Sequence, residues 1–323
     1  MIKGKRIIIL AIFLLLIGII GMVTTFSSYK QSAFYEESKS IPIDTNEINE
    51  IEVDAENTEI RLQAANGENP RAEYTATRKK IKDQELHTSV DGGKLMIQIE
   101  ENSFSFFDLD FLFRSKATLD IFVPEDIIDK INAKTTNTKI AAVNLQVDAL
   151  QLHTSNGRIE GENIETSLLD MQSSNGRIEL NNIQGDTNVR TSNGRITLEN
   201  VVGEVKADTN NAKLALHSIQ GNANVKTTNG KIDLQNISGE ITAKTNNAAV
   251  TIATKGFDYP MELETSNGKI TIISDQKPEN ATFDLRTNNG SIRVFDSKDW
   301  DITYGNGETL IKAHTSNGGI TIE

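Results

Sequence analysis

The sequence Thr-Ser-Asn-Gly-Arg-Ile, found at residues 191–196, recurs in near-copies as far as the end of the chain and limits the folds available to it. Its asparagine marks equivalent positions at Asn137, Asn156, Asn175, Asn193, Asn211, Asn229, Asn247, Asn267, Asn289 and Asn317. Successive gaps are 19, 19, 18, 18, 18, 18, 20, 22 and 28 residues. A period near 18 residues over so long a span predicts a repeat architecture, in which each unit buries its apolar face against the next.

Positions around the reference asparagine keep their chemical character from copy to copy. Two residues before it stands a threonine, or a serine in one copy. An aliphatic residue stands three residues after it, and mostly aliphatic residues stand five and eight residues after it. Because these apolar positions alternate with polar ones, each copy predicts a strand with one buried face that follows an Asn-Gly corner.

Two all-β architectures fit this unit, and they differ in the role of Asn-Gly. In an antiparallel meander or sandwich, Asn-Gly would form a two-residue hairpin turn. In a single-stranded, parallel β-helix-like solenoid of about 18 residues per coil, it forms a corner that stacks on copies of itself. Identical threonine, asparagine and isoleucine columns favour the solenoid, since stacking places like residues on like. Ala212 and Ala248 also replace the glycine of the corner without interrupting the period, which a hairpin turn would tolerate poorly.

The N-terminus predicts a membrane anchor ahead of the β-rich chain. Residues 1–6 carry three cations and form the predicted cytoplasmic end, and residues 7–26 contain no charged residue. A helix of that length spans roughly 30 Å, enough to cross a bilayer once. A cleaved signal peptide is the alternative, although no small-residue cleavage pattern follows. By the positive-inside rule, the anchor places the remaining chain outside the cell membrane.

Beyond the anchor, the sequence predicts three segments. Residues 27–40 are polar and form a predicted juxtamembrane linker, residues 41–130 form an irregular β-rich cap, and residues 131–323 form the tandem array. Two insertions in the array, at residues 257–260 and 297–307, are expected to be loops.

A phenylalanine-rich segment interrupts the cap at residues 103–114. These rings predict either a small core for the cap or an apolar loop that contacts a membrane or a partner. Asp108 and Asp110, which lie between the rings, argue against insertion into a bilayer. The candidate contact residues are Phe104, Phe106, Phe107, Phe111 and Phe113.

A basic column stands two residues after the reference asparagines. If the coils stack in parallel, its side chains form a line along the array, which is either an ordinary solvated surface or a binding surface for a repeating anionic polymer. Carboxylates two positions further on, such as Glu160 and Glu179, would offset part of this charge. The members of the basic column are Lys139, Arg158, Arg177, Arg195, Lys213, Lys231 and Lys269.

Composition argues against several classes of function. The chain has no cysteine, so disulfides and thiolate metal sites are excluded, and its net charge of −12 argues against nucleic-acid binding. The four histidines are scattered and no calcium-binding repeat pattern occurs, so we expect no metal, no cofactor and no enzymatic activity.

The N-terminal span, the strand Leu119–Pro124 and the tandem Thr-Ser-Asn-Gly-Arg-Ile units together resemble a bacterial β-strand-repeat family of unknown function labelled "putative adhesin". That family includes the LiaG-like membrane-anchored proteins of envelope-stress operons. The resemblance covers roughly residues 45–323 and implies an envelope-facing repeat domain without assigned catalytic residues.

The sequence therefore predicts a single-pass membrane protein whose extracytoplasmic solenoid binds, adheres or scaffolds at the cell envelope. Its expected partners are an anionic wall polymer or a membrane protein. The alternative is an envelope-stress sensor that acts through a membrane partner, and a third class is a polysaccharide hydrolase with a carboxylate pair.

Overall fold

The structure is a computed structural model that describes residues 14–24, 34–44, 47–79, 85–100, 117–124, 128–295, 297 and 301–323. Within these residues, 26 strands and one short helix are formed. Nearly all strand pairs in the repeat array are parallel, and each pair matches equivalent positions of two copies of the repeat. The solenoid prediction is therefore confirmed, and the antiparallel meander is excluded for the array.

Each coil contributes one strand to a first sheet, turns a corner at the reference asparagine, and contributes one strand to a second sheet. The first sheet contains β2 (Glu50–Ala55), β6 (Lys94–Glu100), β8 (Lys130–Thr135), β10 (Ala149–Thr154), β14 (Val205–Asp208), β16 (Ala223–Lys226), β18 (Ile241–Lys244), β20 (Met261–Thr265), β22 (Ala281–Thr287) and β25 (Thr309–Thr315). The second sheet contains β3 (Glu59–Ala64), β7 (Ala117–Val123), β9 (Ile140–Gln146), β13 (Ile196–Val202), β15 (Leu214–Gln220), β17 (Ile232–Ile237), β19 (Val250–Thr254), β21 (Ile270–Ser274), β23 (Ile292–Val294) and β26 (Ile320–Ile322).

Two long strands run from one sheet into the other. The first part of β11 (Ile159–Ser173) pairs with β9 in the second sheet, and its last part pairs with β10 in the first sheet. The next strand, β12 (Ile178–Thr191), does the same one coil further on. The connection between coils is thus nearly continuous strand at this point, with a register shift between Glu165 and Leu168.

Antiparallel strands cover both sheets at the N-terminal end and the first sheet at the other end. At the N-terminal end, β5 (Glu85–Asp91) pairs with β6, β4 (Arg71–Lys79) pairs with β7, and β1 (Phe34–Pro42) extends that sheet beyond β4. At the other end, the short β24 (Asp301–Thr303) pairs antiparallel with β22. These strands cover edges that would otherwise offer a complete parallel ladder to another chain.

The order of the coils in space departs from their order in the chain at both ends. The β2/β3 coil lies between the later β6/β7 and β8/β9 coils. Likewise, the last coil, β25/β26, lies between β20/β21 and β22/β23. The gaps of 22 and 28 residues near the C-terminus therefore reflect this insertion and its connections, in addition to lengthened loops.

The first segments of the chain differ in part from the sequence prediction. β1 begins inside residues 27–40, so this stretch is not a linker throughout. The cap predicted over residues 41–130 contains a regular coil, β2/β3, which stacks directly on the array. The insertion at 297–307 was expected to be a loop and instead contains β24, while Phe257 of the other insertion is buried.

The helix covers residues 14–24, inside the predicted anchor 7–26. In the described residues, no helix reaches the length and apolarity needed to cross a bilayer, so the anchor is not confirmed. The phenylalanine-rich segment 103–114 lies outside the described residues.

The reference asparagines form one continuous ladder of side-chain hydrogen bonds. The Nδ2 of each asparagine donates to the Oδ1 of the asparagine in the preceding coil, over 2.6–2.8 Å. The ladder begins at Asn57, and it passes from Asn267 to Asn317 and only then to Asn289, because the last coil is inserted there.

The threonine column closes each corner from the inside. Thr191 is 3% exposed, and its Oγ1 accepts a hydrogen bond from Gly194 N over 3.1 Å. The same hydroxyl donates to the carbonyl oxygen of Gly176 in the preceding coil over 3.2 Å. A β-carbon on Gly194 would lie 1.8 Å from that carbonyl, so the corner of this coil admits only glycine without a shift. One hydroxyl therefore fixes both the corner and its distance to its neighbour.

A second asparagine column makes the opposite bend of the coil possible. Asn144, Asn163, Asn182, Asn200 and Asn236 have positive φ angles of 53–56°. Asparagine adopts this left-handed conformation more readily than most residues, which explains its recurrence there. The strand turns at these residues without losing its alignment with the next coil.

The core is a stack of aliphatic side chains between the two sheets. The isoleucine column is fully buried at Ile159, Ile178 and Ile196. Aromatic rings close the C-terminal end of this core: Phe257 meets Phe283 edge to face with ring centroids 5.3 Å apart, and Phe283 meets Tyr304 at 6.0 Å. These rings replace the stacked aliphatic contact that a further coil would supply.

The ladder predicts that Asn193→Val destabilises the protein by about 1–3 kcal/mol, since two hydrogen bonds worth roughly 0.5–1.5 kcal/mol each are lost. These bonds join Asn193 to Asn175 and Asn211, each over 2.7 Å. Urea unfolding measures the change, and hydrogen exchange should show lost protection in both neighbouring corners. Asn210→Val is the control, because that exposed side chain lies outside the ladder. Equal effects of the two substitutions would contradict the ladder's contribution.

Candidate interaction surface

The seven cations of the basic column lie in one line at the start of the second sheet. Backbone hydrogen bonds join the column from coil to coil, because the amide that follows each cation donates to the carbonyl oxygen of the cation in the next coil. Ile159 N donates to Arg177 O, Ile178 N to Arg195 O, and Ile196 N to Lys213 O. Parallel strands in a sheet lie about 4.8 Å apart, which sets the spacing of the column. The line is continuous from Lys139 to Lys231, is interrupted at Ala249, and resumes at Lys269.

Most members of the column form ion pairs with a carboxylate that stands two positions after a cation of the same coil or of the next coil. Arg158 Nε lies 2.9 Å from Glu160 Oε1, and Lys139 pairs with the same carboxylate from the neighbouring coil. Arg177 Nε lies 3.4 Å from Glu179 Oε1. The guanidinium groups remain about half exposed, so these ion pairs are solvated and contribute little to stability.

Asp233 holds the far end of the continuous line. Its carboxylate lies 2.9 Å from Lys213 Nζ and 3.6 Å from Lys231 Nζ, and its side chain is only 15% exposed. Partial burial raises the pKa of Asp233, but the hydrogen bond and charge of Lys213, with the charge of Lys231, outweigh it and lower that pKa. Two cations are thus fixed by one carboxylate that stays ionised.

Arg195 differs from its neighbours in the column. Thr197 stands where Glu160 and Glu179 stand in earlier coils, and Arg195 forms no ion pair among the residues that the structure describes. Its neighbours in the column are Arg177 and Lys213. Between Lys139 and Lys231, Arg195 is therefore the cation without a carboxylate partner in the described structure, and its exposed side chain is available to an anion from solvent.

A second surface lies on the outer face of the first sheet. Asp186, Glu204, Asn222 and Glu240 form a line there, in which Glu204 N donates to Asp186 Oδ1 and Glu240 N donates to Asn222 Oδ1, each over 2.9 Å. With Leu168 they border an open groove of about 390 Å³. This line is hard to predict from the sequence because the four residues are not of one type, although they share a position at the start of the first-sheet strands.

The histidines stay apart in the structure. His314 Nε2 lies 3.4 Å from Asp284 Oδ2 on the first sheet, whereas His217 lies on the second sheet between Glu199 and Gln235. Arg286 also bonds to Asp284, over 2.9 Å, as part of a solvent-facing ion-pair group. Across the described parts of the chain, no group of three or more histidine, aspartate or glutamate side chains is arranged to hold a metal ion.

Two parallel stacks joined by laddered corners, with charged lines on their outer faces, define a β-solenoid repeat protein. The chain belongs to the Toastrack DUF4097 family, whose model matches residues 48–226 and again residues 186–323. This membership agrees with the resemblance drawn from the repeat units and the strand Leu119–Pro124.

Solved structures similar to this chain include three bacterial proteins. A "putative lipid binding protein" of Parabacteroides distasonis is 16% identical, covers 89% of this chain and 96% of its own, and has a TM-score of 0.42. A "putative adhesin" of Parabacteroides merdae is 14% identical over 89% and 96%, with a TM-score of 0.37. A "putative cell adhesion protein" of Clostridium sporogenes is 11% identical over 89% and 99%, with a TM-score of 0.24. No curated protein matches the chain.

The lowered pKa of Asp233 predicts an acid-dependent loss of stability. A carboxylate whose pKa is lower in the folded state stabilises the protein above its unfolded pKa, near 3.9, and this contribution is lost as the pH falls through the folded value. Asp233→Asn should therefore be less stable than the wild type at neutral pH and flatten the fall in unfolding free energy below about pH 4.

Urea unfolding at a series of pH values measures this difference. Asp258→Asn is the matched control, because Asp258 forms no ion pair in the described structure and its loss should leave the pH profile unchanged. If the Asp233 variant keeps the wild-type profile, its interaction with Lys213 and Lys231 does not stabilise the folded state.

Proposed function

We propose that the protein is a membrane-anchored binding module that contacts a repeating anionic polymer of the cell envelope through the basic column. The observation that carries this proposal is the register of the second sheet, which brings Lys139 to Lys231 into one line at the spacing of the coils. A rigid line of cations can hold many weak contacts to one polymer at the same time, so the affinity grows with the length in contact.

Charge supports the central part of the column as the contact. Arg177, Arg195 and Lys213 are consecutive in space, and the middle one lacks a carboxylate partner in the described structure. Arginine offers several donors in a planar fork that suits phosphate and carboxylate groups. On a chain with a net charge of −12, this line is a local exception that would orient an anionic ligand.

The shape of the surface favours a polymer over a small molecule. Two grooves bordered by described residues are open to solvent, whereas small-molecule sites usually enclose most of their ligand. A flat sheet with a repeated side-chain pattern matches a ligand that is itself extended and repetitive. The same pattern suits adhesion and scaffolding better than chemistry at one point, which supports a role other than catalysis.

The combined variant Arg158→Ser, Arg177→Ser and Arg195→Ser tests the proposal. If each exposed arginine contact contributes roughly 0.5–1 kcal/mol to the binding free energy, the loss of three contacts should weaken binding to immobilised poly(glycerol phosphate) about 10- to 150-fold. Binding of the wild type should also weaken as salt increases.

The matched control replaces Arg190, Lys206 and Lys226, which lie on the outer face of the first sheet, by serine. It removes the same charge while leaving the column intact, so it should retain the polymer nearly as well as the wild type. If both variants lost the same binding affinity, the effect would be due to net charge alone. If the basic-column variant bound the polymer as well as the wild type, the column would not be the contact surface.

The anchor is tested separately by fractionation. The full chain should sediment with membranes and resist extraction by carbonate or high salt, whereas a chain without residues 1–26 should be released, because an apolar span of about 20 residues inserts stably. Protease should degrade the repeat domain in intact spheroplasts if the bulk of the chain lies outside. Release of the full chain by high salt would contradict the anchor.

A further inference from the structure

We infer that Asn66 is a site of spontaneous deamidation and that the corner ladder protects those Asn-Gly pairs in which both the asparagine carboxamide and the glycine amide are hydrogen-bonded. In this reaction the backbone nitrogen of the glycine forms a bond to the Cγ of the preceding asparagine, and the Cγ–Nδ2 bond breaks with loss of ammonia. Water then opens the cyclic imide at either carbonyl and leaves aspartate or isoaspartate. The only co-reactant is solvent water.

The chain is rich in the dipeptide that reacts most readily in this way, because glycine has no side chain to hinder the attacking nitrogen. Two pairs, Asn66-Gly67 and Asn306-Gly307, lie outside the ladder. The pairs within the ladder begin at Asn156, Asn175, Asn193, Asn229, Asn267, Asn289 and Asn317.

At the ladder corners, both reacting groups are held by hydrogen bonds. The leaving nitrogen of Asn193 is bonded to Asn175 Oδ1 over 2.7 Å, and the nitrogen of Gly194 that would attack is bonded to Thr191 Oγ1 over 3.1 Å. The threonine hydroxyl is itself buried and fixed by Gly176 O. The same glycine contact, over 2.9–3.2 Å, occurs at Gly157, Gly176, Gly230, Gly268 and Gly318. Cyclisation at a corner would break both bonds and displace the neighbouring coil.

Asn66 and Gly67 have none of these restraints. They are the central residues of a turn closed by the bond from Glu68 N to Ala65 O, with φ angles of 49° and 82°. Both are exposed, and in the described structure neither the carboxamide of Asn66 nor the amide of Gly67 makes a hydrogen bond. No atom lies within 4 Å of the position where a β-carbon of Gly67 would be, so the turn has room to rearrange.

Asn306-Gly307 is intermediate between the two cases. Asn306 is exposed, but Gly307 N donates to Tyr304 O over 3.2 Å. Its reaction should therefore be slower than that of Asn66 and faster than that of the ladder pairs. The product at Asn66 places a new negative charge at the rim of the groove formed with Asn144 and Glu165.

The test is peptide mapping by mass spectrometry after the full chain has been incubated in mildly alkaline buffer. Asn66 should deamidate at least about tenfold faster than Asn193, the ratio that about 1.4 kcal/mol of protection gives. In urea-unfolded protein the two sites should react at similar rates. Equal rates in the folded protein, or an equally large excess at Asn66 after unfolding, would overturn the inference.

Two variants separate protection from local sequence. Thr191→Val removes the acceptor for Gly194 N and should raise deamidation at Asn193 several-fold, with Asn175 and Asn229 in the same molecule as internal standards. Asn66→Gln should abolish the early acidic species seen by ion-exchange chromatography. An unchanged rate at Asn193 in the first variant, or a persistent acidic species in the second, would reject the corresponding half of the inference.

Discussion

The fold depends on the requirement that each coil place the same polar atoms above the same partners. Each corner carries backbone N–H and C=O groups that find no hydrogen-bond partner within the corner itself. Burying such a group without a partner would cost about 1–3 kcal/mol. Here the threonine hydroxyl serves the glycine amide of its own coil and the carbonyl of the coil before it. On the exposed side of the corner, the asparagine carboxamide donates to the asparagine of the coil before it and accepts from the asparagine of the coil after it. The pairing works only between like corners, and this is why the sequence repeats so strictly at these two positions.

The ends of the array show what the stacking requires when no further coil follows. The C-terminal core is closed by Phe257, Phe283 and Tyr304. An antiparallel strand covers the first sheet at that end, and antiparallel strands cover both sheets at the N-terminal end. Because the last coil of the chain, β25/β26, is inserted out of chain order, β22/β23 is outermost, and β24 from the connection between them pairs with β22. A finite solenoid therefore needs two different kinds of sequence, one that repeats and one that ends the repetition.

The repeated part of this structure could be predicted from the sequence, and the ends could not. Periodicity identified the coils, their buried isoleucines and the basic column, because all of these follow from a residue's position within its own copy. The exchange of β22/β23 with β25/β26 could not be foreseen, since Asn289 and Asn317 offer the same ladder atoms and local sequence does not say which coil Asn267 meets. Similarly, the ion pairs of Glu160 and Glu179 with the arginines two positions before them could be predicted from the sequence, because each pair lies within one coil. The ion pair between Lys213 and Asp233 could not, because it joins two coils and depends on how they stack.

The ladder also has a direction. Every reference asparagine donates towards the coil nearer the N-terminal end and accepts from the other side, and the buried threonine hydroxyls donate in the same direction. Backbone hydrogen bonds in the stacks run both ways, as Ile159 N and Asn156 N show by donating to opposite neighbours. Their dipoles largely cancel, whereas those of the aligned side-chain amides add and polarise one another. The column of amides therefore gives the array an electrical polarity along its axis, so that its two ends differ in potential as well as in sequence.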